Sequence, residues 1–110
     1  MQIKVTARHF KAPDSLIEYA EEMLEKLNHF YNGIVKADII LTYEKKHKDG
    51  KIAEITISVY GTVLTAIGKS DEYTKSIDGA VEKALAQLKK YKDKLHAKDR
   101  KIVRKVREKD

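Results

Sequence analysis

Between residues 36 and 67 the chain alternates apolar and polar side chains three times, with breaks too short to hold a helix. Ala37, Ile39, Leu41 and Tyr43 alternate with Lys36, Asp38, Ile40 and Thr42; Ala53, Ile55, Ile57 and Val59 repeat the pattern, and Val63 to Ile67 supplies a third run. Successive side chains of a strand point to opposite faces, so each run reads as a strand with one buried side. Lys45-Lys46-His47-Lys48-Asp49-Gly50 is a polar, basic hairpin connection ending in glycine, and Gly61 marks a tight turn before the last run. Parallel neighbours need a crossover of a dozen or more residues, which neither break can supply. The three runs therefore predict an antiparallel meander.

The flanking segments must cover that sheet. Ile3, Val5 and Ala7 alternate with Gln2, Lys4 and Thr6 as a first strand, placed beside the second although patterning does not fix strand order. Pro13 at the first helical position, or Ser15 as a cap with Glu18 as its partner, opens a helix that Asn32-Gly33 ends. Its apolar stripe is Leu16, Ala20, Met23, Leu27 and Phe30, while Glu18, Glu21, Glu22 and Glu25 make its outer surface acidic. Ser70 or Asp71 caps a last helix with the stripe Tyr73, Ile77, Val81, Ala84, Leu88, Tyr91 and Leu95. The fold class that follows is α+β, a β-α-β-β-β-α two-layer sandwich with a four-stranded sheet and two helices on one face.

Length and charge narrow the function. A chain of 110 residues suffices for one domain with its own core, and 42% hydrophobic with 36% charged residues is ordinary for a folded chain. Without cysteine there is no disulfide framework and no thiolate chemistry. No apolar run approaches a membrane span and no signal-peptide pattern opens the chain, so the expected location is the cytoplasm. Residues 1–88 hold 12 Lys or Arg against 13 Asp or Glu, whereas residues 89–110 hold 11 against 4. A polyanion would thus meet a nearly neutral body with one strongly positive end.

Catalysis finds little support. His9, His29, His47 and His96 show no metal-ligand spacing, there is no nucleophile elbow or phosphate-cradling glycine loop, and the glutamates of the first helix read as a solvated face. The expectation is a protein that is not an enzyme, with no cofactor, no metal and no small-molecule substrate.

The last helix carries the informative pattern. With Lys83 set at 0°, Lys90 falls near −20° and Lys94 near +20°, with Gln87 near +40°, at 100° per residue. A row of ammonium groups about 10 Å apart suits backbone phosphates, and Lys89 and Lys92 widen it. Lysines contact phosphates as flexible point charges, so the row predicts recognition of shape and backbone rather than sequence. Tyr43 and Tyr60 could stack on bases, but read first as structural tyrosines. A solvated face is the plain alternative for any single lysine.

Ordered along the chain, Met1 to His9, Leu16 to Leu27, Tyr60-Gly61, Asp71 to Ala80 and Gln87 to Leu95 resemble the short ribosome hibernation-promoting factors and ribosome-associated translation inhibitors. The chain departs from that pattern at Ala7, at Gly61-Thr62 and at Ile67-Gly68, where small residues or glycines are usual. The resemblance implies the same β-α-β-β-β-α order, similar to a double-stranded RNA-binding domain, over a ribosome-binding domain of residues 1–95. It implies a partner, the small ribosomal subunit with its rRNA, and occupation of the mRNA and tRNA channel during starvation or slow growth. Carried onto this chain, Lys83, Lys89, Lys90, Lys92 and Lys94 are the expected RNA contacts, with Arg8, His9 and Lys75 as secondary candidates.

Residues 96–110 are expected to form a basic, flexible tail, fraying from about residue 97. Two other readings stand beside the inhibitor: a general double-stranded RNA-binding module, using the Lys45 to Lys51 loop as a second contact, and an assembly module. In the latter Ile102 and Val106 extend the helical stripe into a partner groove, giving weak self-association.

Overall fold

A computed structural model describes the backbone of residues 1–109 and the side chains of residues 1–95. The elements run β1 (Gln2–Ala7), α1 (Asp14–Phe30), β2 (Lys36–Tyr43), β3 (Lys51–Val59), β4 (Thr62–Ser70) and α2 (Tyr73–Lys109). The expected flexibility of the 96–110 tail, and the roles of Ile102 and Val106, lie outside the described side chains.

The strands are ordered β1-β2-β3-β4. Ile39 pairs with Ile55, and Ile55 with Ala66, in the antiparallel meander read from the alternation. β1 lies beside β2 as expected and runs parallel to it, with Val5 opposite Ile39, so the sheet is mixed. That direction follows from α1, which is the crossover two parallel neighbours require. α1 does not open as expected, since Pro13 is its N-cap at φ −61 and ψ 151 and no side chain caps it. Instead the Pro13 carbonyl accepts from the amides of Leu16 and Ile17 at 3.0 and 3.2 Å. Neither a proline at the first helical position nor a Ser15 cap describes this start.

Alternation puts one face of every strand against the helices. Leu24 and Leu27 of α1 meet Ile39, Leu41, Ile55 and Ile57 of the sheet and Ile77 and Leu88 of α2, all fully buried in one core. Each such side chain contributes roughly 1.5–3 kcal/mol on leaving water. Gly68 sets the closest approach of α2 to the sheet, because a Cβ there would lie 2.0 Å from the Ser76 carbonyl oxygen. Buried Ser76 donates to the Lys51 carbonyl at 2.6 Å and lies 3.0 Å from the Ser70 hydroxyl, tying the first turn of α2 to β3 and β4. Ser70 is also the capping side chain, its hydroxyl accepting from the Glu72 amide at 3.1 Å.

The two helices run in the same direction. Near their starts the Tyr19 hydroxyl donates to the Asp78 carboxylate, and near the end of α1 the Tyr31 ring meets the Tyr91 ring edge-on at 5.8 Å. One end of the domain therefore holds the start of both helices, and the other holds the end of α1 and the Tyr91 level of α2.

Candidate nucleic-acid interface

Residues four apart on a helix share a side, and on α2 the set Lys83, Gln87 and Tyr91 faces the outer edge of β4. Lys83 Nζ donates to the Ile67 carbonyl at 2.8 Å, Gln87 Nε2 to the Thr65 carbonyl at 2.7 Å and the Tyr91 hydroxyl to the Tyr60 carbonyl at 2.6 Å. An edge strand leaves every second carbonyl unpaired, and three side chains of one helix occupy carbonyls along this edge and its leading turn. The lysine expected to head the RNA-binding row is thus fastened to the sheet. Lys90 and Lys94, on the same side further along, are exposed.

These two lysines lie at the Tyr91 end of the domain with Lys89 and Lys92. Lys89 is exposed, whereas Lys92 is half-buried with Nζ 5.4 Å from the centroid of the Phe30 ring, a cation–π contact that holds it against the end of α1. The pKa of the Tyr91 hydroxyl is raised, first by partial removal from water and then by the neighbouring phenols of Tyr31 and Tyr60. Three tyrosines and four lysines therefore gather around the end of the sheet.

Arg8, His9 and Lys75 occupy the opposite end. The Arg8 amide donates to the Leu41 carbonyl at 2.9 Å, which sets Arg8 beside the end of β2, and His9 turns the chain at φ 68, in the left-handed region. Phe10 then stacks on Tyr73 at 4.7 Å, and Lys51 Nζ lies 5.5 Å from the other ring of that pair, Tyr73. The exposed loop with Lys45, Lys46 and Lys48 joins β2 to β3 at this same end. Lys75 reaches Asp71 at 3.7 Å, an exposed i,i+4 pair of little energetic weight. From Lys75 to Lys90 the rise along α2 is about 22 Å. The eight expected contacts therefore form two separate basic ends with Lys83 between them, not one patch.

The face between carries the opposite sign: Glu18, Glu21, Glu22 and Glu25 line a groove beside Ile3 of β1. Among the described residues no three His, Asp or Glu side chains converge on a metal position, and no helix is long and apolar enough to cross a membrane. Gln87 and Tyr91 were not marked as site residues by sequence reasoning. The four-residue steps from Lys83 to Gln87 to Tyr91 are visible in the sequence, but the strand edge they address is not.

Comparison with known proteins places this arrangement. The chain is 31% identical over 111 residues to a ribosome hibernation promotion factor of Picosynechococcus sp., covering 98% of this chain and 58% of that protein. It is 28% identical over 95 residues to the ribosome hibernation promoting factor of Klebsiella oxytoca, covering 86% of this chain and 97% of that one. The chain thus spans somewhat over half of the first relative and nearly all of the second. Among solved structures, a ribosomal subunit interface protein from Coxiella burnetii superposes with a TM-score of 0.77 at 27% identity, over 84% of this chain and 99% of that one. The N-terminal domain of Thermus thermophilus Protein Y gives 0.72 at 25% identity, over 83% and 99%. The family model for Sigma 54 modulation protein / S30EA ribosomal protein matches residues 3–96, from β1 to the last lysines of the interface, and the chain belongs to that family.

Proposed function

We propose that the chain is a non-catalytic translation inhibitor that binds the small ribosomal subunit through its rRNA and blocks the mRNA and tRNA channel, the activity of ribosome hibernation. The observation that carries this reading is the position of Lys89, Lys90 and Lys94, exposed on a helix anchored in the core and level with the end of the sheet. Cations held on a rigid element keep their spacing against a phosphate backbone, and each neutralised phosphate releases counterions. The acidic surface of α1 is repelled by the same backbone, so RNA is expected to approach away from that face. The names borne by the relatives, hibernation factors and a subunit interface protein, support the same partner.

Cosedimentation with purified small subunits across a salt series tests the proposal. Binding at low salt with a steep loss as salt rises is expected, and absence from the subunit fraction at low salt would overturn it.

A second reading, a general double-stranded RNA binder, is favoured by one observation: the two basic ends stand about 22 Å apart along α2, and duplex-binding domains touch two separated regions. Equal affinity for a plain RNA duplex and for small subunits would select it.

A further inference from the structure

The turn between β3 and β4 carries the most exposed large hydrophobic side chain of the described residues, Tyr60, at 86% of its full accessibility. Val59 pairs with Thr62, so the turn has two residues, Tyr60 and Gly61. Gly61 has φ 81 and Tyr60 a negative φ, the combination of a type II turn, which needs glycine at its second corner. At the first corner the side chain projects away from the hairpin into solvent.

Exposure alone would describe a loose surface residue, but this turn is held. The carbonyl between its two corners is the one that accepts from Tyr91 at 2.6 Å, so the peptide that fixes the direction of Tyr60 is pinned to a core-anchored helix. Tyr91 is itself braced by the Tyr31 ring at 5.8 Å. The helix that holds the turn carries cations next to its holding residue: Lys94 lies about one turn beyond Tyr91, and Lys90 immediately precedes it. Val63, also exposed, follows two residues after the turn.

A ring exposed to water, on a turn held to a helix that also carries Lys90 and Lys94, has the parts of a nucleotide-binding platform: an aromatic plane for the base and cations for its phosphates. The interior of a duplex cannot use the plane, because its bases are already stacked on both faces. We infer that Tyr60 is a stacking platform for one unpaired nucleobase of the RNA, with Lys90 and Lys94 taking the adjoining phosphates. The inference deepens the proposed rRNA binding and rests on it, adding single-strand recognition to a surface otherwise suited to backbone alone.

The test compares a twelve-nucleotide oligouridylate with a blunt twelve-base-pair RNA duplex, titrated against wild type, Tyr60→Ala, Tyr60→Phe and Tyr91→Phe. Removing a stacking ring should weaken oligouridylate binding roughly 5- to 150-fold and leave the duplex unchanged. Tyr60→Phe should restore most of the loss, since the ring and not the hydroxyl stacks. Tyr91→Phe should give a smaller loss by freeing the turn peptide. Thermal melts show whether each variant folds, and Tyr60, 86% exposed, is not among the residues packed in the core. Wild type that fails to bind oligouridylate, unchanged affinity in Tyr60→Ala, or an equal loss on both RNAs would overturn the inference. So would reduced self-association in sedimentation with RNA affinity intact, which would give the ring to a protein contact. Wild type that binds oligouridylate through Tyr60 but does not cosediment with small subunits would retain the platform and reject the ribosomal reading.

Discussion

Lys83 Nζ sits 2.8 Å from the carbonyl oxygen of Ile67, sixteen residues earlier on the edge of the sheet. A lysine with this partner is a fastener first, and its charge is partly spent before RNA arrives. Lys83→Met keeps the hydrocarbon stem and removes the donor. Urea unfolding should show a loss of about 0.5–1.5 kcal/mol, as for one hydrogen bond. Stability equal to wild type would show that water satisfies the carbonyl as well as the ammonium does.

Among the described residues Lys89, Lys90 and Lys94 have no such partner and should behave differently. Their combined replacement by Gln should leave the thermal midpoint nearly unchanged and lower the slope of log affinity against log salt by roughly 2. Lys83→Met should leave that slope nearly unchanged, where a lysine bound to one phosphate would lower it by about 0.7–0.9. Affinity for small subunits measured at several salt concentrations distinguishes the two.

Gly68 and Gly79 face each other across the α2–β4 contact but predict opposite outcomes. A Cβ on Gly68 would lie 2.0 Å from the Ser76 carbonyl oxygen and 2.7 Å from the Ala80 amide nitrogen, backbone atoms that cannot step aside. Gly68→Ala should destabilise by at least about 1–3 kcal/mol, the range for overpacking. A Cβ on Gly79 meets only the Gly68 Cα, at 4.0 Å, so Gly79→Ala should stabilise α2 by roughly 0.5–1 kcal/mol. Denaturant midpoints of the two variants check both signs.

The Tyr19 hydroxyl is pushed up to about 12 by its hydrogen bond to Asp78, then by partial burial and by the charges of Asp78 and Glu22. A phenol that holds its proton more tightly when folded contributes stability that is complete below pH 10, its ordinary value, and is lost as pH rises toward 12. Ultraviolet titration should show Tyr19, Tyr73 and Tyr91 ionising after the other three of the six tyrosines, with a step near pH 12 from Tyr19. Tyr19→Phe should remove that late step and flatten the alkaline loss of stability in the same window.

Much of this architecture was legible because it rests on periodicity. The alternation of Ala37 to Tyr43 and Ala53 to Val59 is the register of β2 on β3, and the stripe from Tyr73 to Leu88 is the face of α2 that reaches the core. What periodicity could not supply was the neighbour across a gap. A helical wheel places Lys83 and Lys90 on one side, but only the strand order sets Ile67 against the first and open solvent beside the second. For the same reason Lys75, Arg8 and Lys90 read as one basic set while the fold separates them. Tyr60 read as a structural tyrosine because a residue before glycine can point inward or outward, and the turn type decides which.

A second copy of the chain approaching β4 side-on, to add a strand, would find the Ile67 and Thr65 carbonyls already occupied. The sheet is thereby closed to growth on that flank, with Lys69 the one charged residue in the strand itself. Since the closure is supplied by side chains of the helix proposed to face RNA, resistance to aggregation and ligand recognition would draw on neighbouring positions of one surface. Substitutions chosen to tune affinity at Lys83 or Gln87 would change how the protein survives at high concentration.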